Sequence, residues 1–388
     1  MARNDVPSEY ARSGVDYTKI QGFKDAMVAT GKTTLGFPNR RDIYLPDNVL
    51  HSHGAVYGCE LPDHVKANDV RWCLTKEGLG NKNWIAEQMY RLTGDPHYLG
   101  IGYDNAMMAV NDVIAQGAMP VVYADEVAAG DSDWFTDVRR SAQLADSFYQ
   151  ACADAGMALG AGESPALRYL VKSEEPVKSA PVLSGSVVGL IYPKSRLITG
   201  QDLQAGDLII GATASGLHAN GISLVIKRGM DSDALPQGFL TTLPTGRSFG
   251  DEALIPTRCY VNLVESWLRN EIQLHALLPG TGDGVGKLAF DKRDFTYRVF
   301  DWPRQIPPIF LFMRELGVEL EDCLKTFNMG IGYYAFVPEG EAVRACEIGE
   351  TVGYEMMIVG RVEAGPRQTI VEPGIFNVSG LTLPPPGD

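Results

Sequence analysis

The chain has 388 residues, of which 45% are hydrophobic and 21% charged, with a formal net charge of −14. This length predicts two domains with sizeable cores, and the acidic balance argues against nucleic acid or an anionic membrane as the main partner. No apolar run approaches the roughly 20 residues of a membrane-spanning helix. The polar N-terminus shows no secretory signal, so the sequence predicts a cytoplasmic protein.

Regular elements begin after a turn-rich region, residues 1–68. A strand at 70–75 leads into the glycine-rich turn TKEGLGNK (75–82), and a helix follows that ends at Gly94. The patterns then predict a helix (105–118), a strand (119–128), a long amphipathic helix (134–156), a short strand (158–164) and a full strand (181–193).

The second half begins near residue 195, after a proline, with a turn-rich connection. We therefore predict domains 1–195 and 196–388, each an α+β unit with a sheet covered by helices. The proline-rich tail cannot continue a helix or a central strand. Predicted elements here are strands at 207–212, 330–338 and 356–364, a helix from about Asn220, and helices at 253–270, 305–316 and 341–352.

The six cysteines are scattered along the chain, with no C-x-x-C pair and no Cys/His cluster. This spacing favours neither a disulfide framework nor a zinc site. Free, buried thiols in a reducing compartment are the expected state.

Acidic residues recur beside small residues at the ends of the predicted elements. Asp104 and Asp112 are eight positions apart on one predicted helix and so lie within about 80° of each other around its axis. Carboxylates that converge with phosphate oxygens suit Mg²⁺. Any single one of these acids is more often a helix cap or a solvated turn, but together they favour a Mg²⁺-nucleotide site. The set is Glu77, Asp104, Asp112, Asp125 and Glu163.

Three glycine-rich turns lie in the second half. ASGLHANG (214–221) follows a strand and opens a helix, where backbone N–H groups can face an anion. The alternative is an ordinary turn capped by Asn220, and a lone histidine such as His218 is more often structural than catalytic. PGTGDG (279–284) and TFNMGIG (326–332) are the other two turns.

The order of these motifs resembles one family. TKEGLGNK, GYDNAMMAVNDVIAQGAMP, GAGES, ASGLHANGISLV, GDEALIPTRCYV and KTFNMGIGYYAFVP together are similar to aminoimidazole ribonucleotide synthetase (phosphoribosylformylglycinamidine cyclo-ligase). The wider superfamily includes selenophosphate synthetase, thiamine-monophosphate kinase, formylglycinamidine ribonucleotide amidotransferase and a hydrogenase-maturation dehydratase. The resemblance runs from about residue 13 to 362, with VNDVIAQGA and TFNMGIGY as its most specific parts.

The resemblance implies a two-domain α/β (α+β) synthetase fold, in which the N-terminal sheets of a homodimer form a barrel. It also implies ATP binding without a Walker loop, whose spacing TKEGLGNK lacks. The N-terminal domain would bind ATP and Mg²⁺ and form the dimer, and the C-terminal domain would face the substrate. No membrane or nucleic acid is expected as a partner.

Site residues follow from the resemblance position by position. The ATP site would comprise Glu77, Gly78, Gly80, Lys82, Asp104, Asn111, Asp112 and Glu163, with Glu77, Asp104, Asp112 and Glu163 as Mg²⁺ ligands. The substrate site would comprise Ser215, Gly216, Asn220, Gly221, Thr281, Gly282 and Asn328. Catalytic roles would fall to Lys82, His218 and Asn220.

The implied reaction starts when ATP phosphorylates an amide oxygen of formylglycinamidine ribonucleotide, after which a neighbouring nitrogen closes the imidazole ring. Four departures from the family pattern stand out: Glu77 replaces Asp, Pro279 replaces His, Asp283 replaces Gly, and GAGESPALRYL lacks the usual Thr. The alternatives are therefore a superfamily relative that activates a different amide, carboxylate or phosphate substrate, and a nucleotide-binding dimeric scaffold without catalysis.

Overall fold

Two β-sheets, one of four strands and one of seven, organise the protein. The computed structural model describes residues 9–45, 59–231, 233 and 235–386. Contacts divide the chain into two compact units that each draw on several segments. Unit 1 comprises Met1–Val65, Leu74–Ala109 and Pro120–Val188, and unit 2 comprises Lys66–Cys73, Val110–Met119 and Gly189–Asp388.

The regular elements of the described residues follow in chain order. The helices are α1 (Glu9–Arg12), α2 (Tyr17–Thr34), α3 (Lys82–Thr93), α4 (Ile101–Val113), α5 (Val138–Ala155), α6 (Ile222–Asp231), α7 (Phe249–Ala253), α8 (Val261–Arg269), α9 (Pro308–Glu315), α10 (Leu320–Thr326) and α11 (Ala342–Thr351). The strands are β1 (Arg71–Gly78), β2 (Met119–Ala128), β3 (Ala158–Glu163), β4 (Val182–Ile191), β5 (Leu208–Thr213), β6 (Ala276–Pro279), β7 (Phe295–Val299), β8 (Ile331–Val337), β9 (Met356–Ala364), β10 (Gln368–Val371) and β11 (Leu381–Leu383).

The four-stranded sheet belongs mainly to unit 1 and has the strand order β1-β4-β2-β3. β2 and β3 run parallel, with a register shift between Tyr123 and Ala124. Along β2, Tyr123 and Val127 are fully buried, as alternation on a half-covered sheet requires. Helix α2 packs against β3 at Gly31, where a Cβ would lie 2.8 Å from the carbonyl oxygen of Leu159.

The other face of this sheet is open to solvent. Leu74 on β1 is 73% exposed and Val182 on β4 is 55% exposed. Lys76 donates to the hydroxyl of Ser184 at 2.9 Å, and that hydroxyl donates to Glu126 at 2.9 Å. Since side chains two apart on a strand share a face, the two apolar residues flank this polar row.

The seven-stranded sheet of unit 2 has the order β11-β10-β7-β9-β5-β8-β6. Its interior strand β5 pairs antiparallel with β8 and β9 and is buried along its whole length. Helices α8 and α11 pack together, and the indole N–H of Trp267 donates to the carbonyl of Ala345 at 2.8 Å. Asp207 and His275, both buried, meet at 2.8 Å beside the sheet.

Several sequence predictions are confirmed. β2 spans the predicted residues 119–128, and the predicted helix stops at Gly94, Gly117 and Gly156 all adopt positive φ. A left-handed residue ends a helix, and glycine adopts that conformation without a Cβ penalty. All six cysteines are free as predicted, but only Cys152 and Cys323 are buried and the other four are partly exposed.

Other predictions were wrong in detail. Region 1–68 contains the 18-residue helix α2, whose polar, Thr- and Gly-containing sequence hides its apolar face; residues 46–58 of this region lie outside the described residues. The helix predicted at 253–270 begins only at Val261, as α8. A separate short helix, α7, ends at Ala253, and Pro256 lies between them because proline interrupts helical hydrogen bonding. Helix α10 and four short strands (β6, β7, β10 and β11) had no predicted counterpart.

The last boundary between the units falls after Val188, and the assignment of functions to domains 1–195 and 196–388 stays a prediction. In the described part of the chain, none of the helices combines the length and apolar character needed to cross a membrane.

Candidate active site

The glycine-rich turn between β1 and α3 is anchored at its centre. Leu79 is buried, and its N–H donates to the carbonyl of Leu183 at 3.0 Å. Gly78 and Gly80 on either side are exposed, and Gly80 has a φ of 73°. Glu77 is half-buried. The turn thus exposes two glycines at the start of a helix, which is a favourable place for an anion.

Lys82 and Asp104 form an ion pair inside unit 1. The Nζ atom of Lys82 lies 2.7 Å from Oδ2 of Asp104, and both side chains are 0% exposed. Burial lowers the pKa of Lys82, and the neighbouring Asp104 opposes that shift. The pair fastens the first residue of α3 to the first turn of α4. In this arrangement the two charges neutralise each other, and their predicted roles toward phosphate and Mg²⁺ stay predictions.

Asn105, the residue after Asp104, links the same helix to the sheet. Its Nδ2 donates to the hydroxyl of Tyr123 at 3.0 Å and to the carbonyl of Ser184 at 3.2 Å. Gly185 makes room for this contact, since a Cβ there would lie 1.9 Å from the Tyr123 oxygen. The sequence motifs assigned no role to Asn105 or Tyr123, although Asn105 stands inside one of them.

Two carboxylates lie together at the ends of β2 and β3. Asp125 pairs with Gly162 in the parallel register, one position before Glu163. A Cβ at Gly162 would come 2.5 Å from Oδ1 of Asp125, so only glycine leaves space for this carboxylate. Asp125 is 7% exposed. Burial, with a smaller contribution from Glu163, raises the pKa of Asp125 to about 7 against the lowering effect of a backbone hydrogen bond.

The carboxylates border a cavity of about 200 Å³, which is also lined by Lys24 and Lys32 of α2. Oxygen donors of this kind suit Mg²⁺, so the position of Glu163 is compatible with its predicted role as a Mg²⁺ ligand. Asp125 lies beside it but was not among the predicted ligands. Asp104 fits less well because Lys82 already occupies its carboxylate. Among the described residues, no three His, Cys, Asp or Glu side chains are grouped as a metal site. The four predicted Mg²⁺ ligands stay a prediction.

In unit 2, the side chain of Asn111 holds the backbone of the TRCYV motif. Its Nδ2 donates to the carbonyl of Arg258 at 3.0 Å, and its Oδ1 accepts from the N–H of Tyr260 at 3.1 Å. The hydroxyl of Tyr333 donates to the backbone carbonyl of Asn111 at 3.2 Å. The amide is therefore used structurally. Its neighbour Asp112 is half-buried, and both keep their nucleotide-binding roles as predictions.

The three predicted glycine-rich turns meet in unit 2. Asn328 donates to the carbonyl of Gly216 at 2.9 Å, and the N–H of Gly280 donates to the carbonyl of Gly332 at 2.9 Å. Gly221 has a φ of 72°, and a Cβ there would lie 2.2 Å from the ring of Phe327. This close packing explains why all three turns are rich in glycine.

His218 and Asn220 differ in their surroundings. His218 is 1% exposed with a φ of 57°, and its ring lies 2.5 Å from where a Cβ of Gly332 would be. Asn220 reaches toward Gly282, where an added Cβ would be 3.8 Å from its Oδ1. Its Nδ2 is buried and has no hydrogen-bond partner within the described chain. An unused buried donor costs about 1–3 kcal/mol, which a ligand oxygen would recover.

The PGTGDG turn is contacted by Lys287, a residue that the sequence motifs did not identify. Lys287 donates to the hydroxyl of Thr281, which places a positive charge next to the turn that contains Asp283. Asp283 is exposed, with a φ of 67°. Ser215, in the first turn, donates to the carbonyl of Pro256 at 2.6 Å. The lysine stands six positions after Thr281, outside the motif, so motif matching did not find it.

The two α/β units and their glycine-rich turns are those of a protein related to aminoimidazole ribonucleotide (AIR) synthase. Residues 62–191 match the family described as AIR synthase related protein, N-terminal domain. The phosphoribosylformylglycinamidine cyclo-ligase of Syntrophus aciditrophicus is 31% identical and aligns over 92% of this chain and 95% of its own length. The protein of the same name from Pyrococcus horikoshii is 30% identical, over 94% of this chain and 97% of its own.

The chain belongs to the phosphoribosylformylglycinamidine cyclo-ligase family, which confirms the resemblance predicted from its motifs. A crystal structure of the hydrogenase maturation protein HypE in complex with ATP has a TM-score of 0.58 and 15% identity, covering 88% of this chain and 91% of that one. At this identity the likeness concerns the fold alone, and it agrees with the predicted mixed α/β class.

We expect Asp104→Ala to lower the free energy of unfolding by about 3–5 kcal/mol, because it removes the carboxylate that is paired with the buried charge of Lys82. The double variant Lys82→Met/Asp104→Leu should regain most of that loss. Urea denaturation followed by circular dichroism measures both. Lys325→Ala, which removes an exposed pair with Glu321 away from the four-stranded sheet, is the control and should change stability by less than about 1 kcal/mol. A double variant as unstable as Asp104→Ala would contradict the electrostatic explanation.

Asp125→Asn should make stability less dependent on pH. Because the folded-state pKa of Asp125 is raised from 3.8 to about 7, its protonated form favours folding, and this contribution is lost as pH rises from about 4 to about 7. The variant should therefore gain stability relative to the parent over that window, by up to roughly 4 kcal/mol. Urea denaturation at pH 5 and pH 8, with a chelator present, measures it. Parallel pH curves for parent and variant would refute the assignment, and exposed Asp63→Asn is the control.

Proposed function

We propose that the chain is an ATP-dependent cyclo-ligase that converts formylglycinamidine ribonucleotide to aminoimidazole ribonucleotide in purine biosynthesis. The observation that carries the proposal is the near full-length match to cyclo-ligases, together with the meeting of three glycine-rich turns around the unpaired amide of Asn220. The amide oxygen of the substrate accepts the γ-phosphoryl group of ATP. A neighbouring nitrogen then attacks the activated carbon, phosphate leaves and the imidazole ring closes.

ATP binding is the first part of this proposal. HypE, which has the same fold, was crystallised in complex with ATP. In this chain, the exposed backbone of Gly78 and Gly80 would receive phosphate oxygens at the start of α3, where the helix dipole favours negative charge. Mg²⁺, when bound, would supply positive charge that screens the phosphates, and Glu163 with Asp125 would hold it.

The substrate side rests on the turns of unit 2. The buried Nδ2 of Asn220 would donate to an oxygen of the substrate, and this contact would orient the amide for phosphorylation. Gly216 and Gly221 permit close approach of the backbone to the ligand. Lys287 lies against Thr281 and offsets the negative charge that Asp283 adds to the turn. With Lys287 present, the negative charge of Asp283 would repel an anionic ribonucleotide less than it would alone.

A second candidate is a superfamily relative that uses ATP to activate a different amide, carboxylate or phosphate substrate. Pro279 and Asp283 favour it, because they replace a histidine and a glycine expected in the family pattern at the substrate-side turn. A nucleotide-binding scaffold without catalysis is the weakest candidate, since the predicted acids and the lysine are all retained.

We expect the purified protein with Mg²⁺ and ATP to release ADP and form the aminoimidazole product in equal amounts when formylglycinamidine ribonucleotide is added. Asn220→Ala should lower kcat/KM for that substrate by about 10- to 100-fold, as the loss of one buried hydrogen bond to the substrate predicts, with little change in KM for ATP. Asn270→Ala, on the surface of unit 2, is the control.

Binding of ATP without imidazole formation would favour the relative with a changed substrate. Absence of any Mg²⁺-dependent ATP binding would favour the scaffold. An effect of Asn220→Ala confined to ATP would show that this loop does not face the substrate.

The chain would act as a homodimer through the open face of the four-stranded sheet. Leu74 and Val182 are apolar, exposed and on the same face as the row formed by Lys76, Ser184 and Glu126. A second copy of the same face could bury the apolar residues and pair the opposite charges across a twofold axis. The barrel expected for the family would form in this way.

We expect Leu74→Glu to convert the dimer to monomers, because it buries a charge in the apolar part of the interface. Size-exclusion chromatography with light scattering measures the mass of each. The control is Leu99→Glu, which changes another exposed leucine (61%) that lies outside the sheet and should leave the dimer intact. A monomeric parent protein, or a Leu74→Glu variant that stays dimeric, would argue against this interface.

A further inference from the structure

A cavity of about 500 Å³ in unit 1 is lined by none of the residues assigned above to ATP, Mg²⁺ or substrate. It lies between helix α3, the 3-10 turn Ser132–Thr136 with the start of α5, and the segment 177–179. Sites for small organic ligands typically have volumes of about 300–1,000 Å³. The cavity therefore has the size of a ligand site in its own right.

Its inner wall contains a fixed guanidinium group, that of Arg140, which is 9% exposed. Nη1 contacts both carboxylate oxygens of Glu87, at 2.9 and 3.1 Å, and Nη2 donates to the carbonyl of Trp134 at 2.6 Å. The guanidinium carbon also lies 4.4 Å from the centre of the Trp134 ring. Its Nε is buried and lacks a hydrogen-bond partner among the residues that the structure describes. One rigidly held donor thus remains unused.

The acids around the cavity are already engaged. Glu87 is paired with Arg140, and Asp133 with Lys19. Asp131 accepts the backbone N–H groups of Asp133 and Trp134 as the cap of the 3-10 turn. Each of these three carboxylates is therefore already bound to a cation or to backbone N–H groups of the protein.

The cations at the rim are available. Within the described ranges, neither Lys178 nor Arg91 forms an ion pair, and Arg91 uses only its Nε, toward Gln88 at 3.1 Å. A smaller cavity of about 270 Å³ shares Lys178 and adds Arg168 and Lys172 to its lining. The larger cavity has as many acids as cations in its lining, and the two cavities together are lined by five cations and three acids. This local excess of positive charge stands out in a chain with a net charge of −14.

The rest of the lining consists of Tyr90, Trp134, Val177 and Ser179. Trp134 and Val177 are buried, and the hydroxyl of Tyr90 is bound to Asp137 at 2.6 Å. A ligand that enters the cavity would therefore meet apolar and aromatic side chains together with the cations at the rim. Aromatic rings beside cations suit a ligand that has both an acidic group and an apolar body.

We propose that this cavity binds a small organic anion. Its phosphate or carboxylate group is held by Lys178, Arg91 and the unused Nε–H of Arg140, and its apolar body lies against Trp134 and Tyr90. Charge-assisted hydrogen bonds to guanidinium and ammonium groups provide the affinity for the acidic group. The site is separate from the proposed cyclo-ligase site and does not depend on that activity.

Isothermal titration of the full chain with phenyl phosphate tests the proposal, since this probe carries one phosphate on one ring. We expect saturable binding that weakens about tenfold in Lys178→Ala and in Arg91→Ala, and further in the double variant. Both side chains are exposed, so these variants should fold normally. Lys292→Ala, an exposed lysine of unit 2, is the control for a general loss of positive charge and should bind as the parent does.

Inorganic phosphate should bind more weakly than phenyl phosphate, and neutral benzyl alcohol should not bind measurably. Absence of binding at millimolar phenyl phosphate, affinity that is unchanged in the Lys178 and Arg91 variants, or an equal loss in Lys292→Ala would each overturn the proposal. Cyclo-ligase turnover should be unchanged in Lys178→Ala and Arg91→Ala. Failure of this site and failure of the proposed activity would therefore be seen in different measurements.

Discussion

The buried ion pair of Lys82 and Asp104 is the constraint on which unit 1 depends. A lysine at the first position of a helix would normally face water, and here it is fully enclosed. Asp104 lies against the charge of this lysine and compensates it, so the glycine-rich turn has a fixed position relative to α4. The next residue, Asn105, continues the connection to two strands of the sheet. Rigid support of this kind is what a turn needs if its backbone is to be preorganised for a ligand.

Two asparagines in unit 2 show how structural and ligand-binding amides differ. Asn111 has its donor and its acceptor bound to backbone groups, and so it fixes the segment 258–260. Asn220 lies in a glycine-rich turn, and its buried donor has no partner among the described residues. An unpaired buried donor carries a free-energy cost. A ligand that accepts a hydrogen bond from it removes that cost, so such a donor marks a candidate binding site. The same reasoning singles out Nε of Arg140 in unit 1.

The sequence was most informative where a local rule decides the structure. The ends of helices at Gly94, Gly117 and Gly156 follow from the left-handed conformation, and β2 follows from its alternating pattern. Helix α2 was missed because its apolar residues are few and spaced among Thr and Gly. The motifs indicated that three turns of unit 2 belong to one site. They could not show that Lys82 is enclosed, that Asp125 titrates near neutrality or that Lys287 joins Thr281, because these properties arise from contacts between distant segments.

The division of the chain also has a consequence for its synthesis. Each unit is assembled from three separate segments, and the stretches 66–73 and 110–119 belong to unit 2 although they are translated among residues of unit 1. Unit 1 therefore cannot be completed on the ribosome before residue 188 has emerged, and unit 2 must wait for the C-terminal half while its two early segments lack their partners. A fragment cut near residue 195 would retain those two segments without the rest of unit 2. For that reason, either half expressed alone should fold less completely than the full chain.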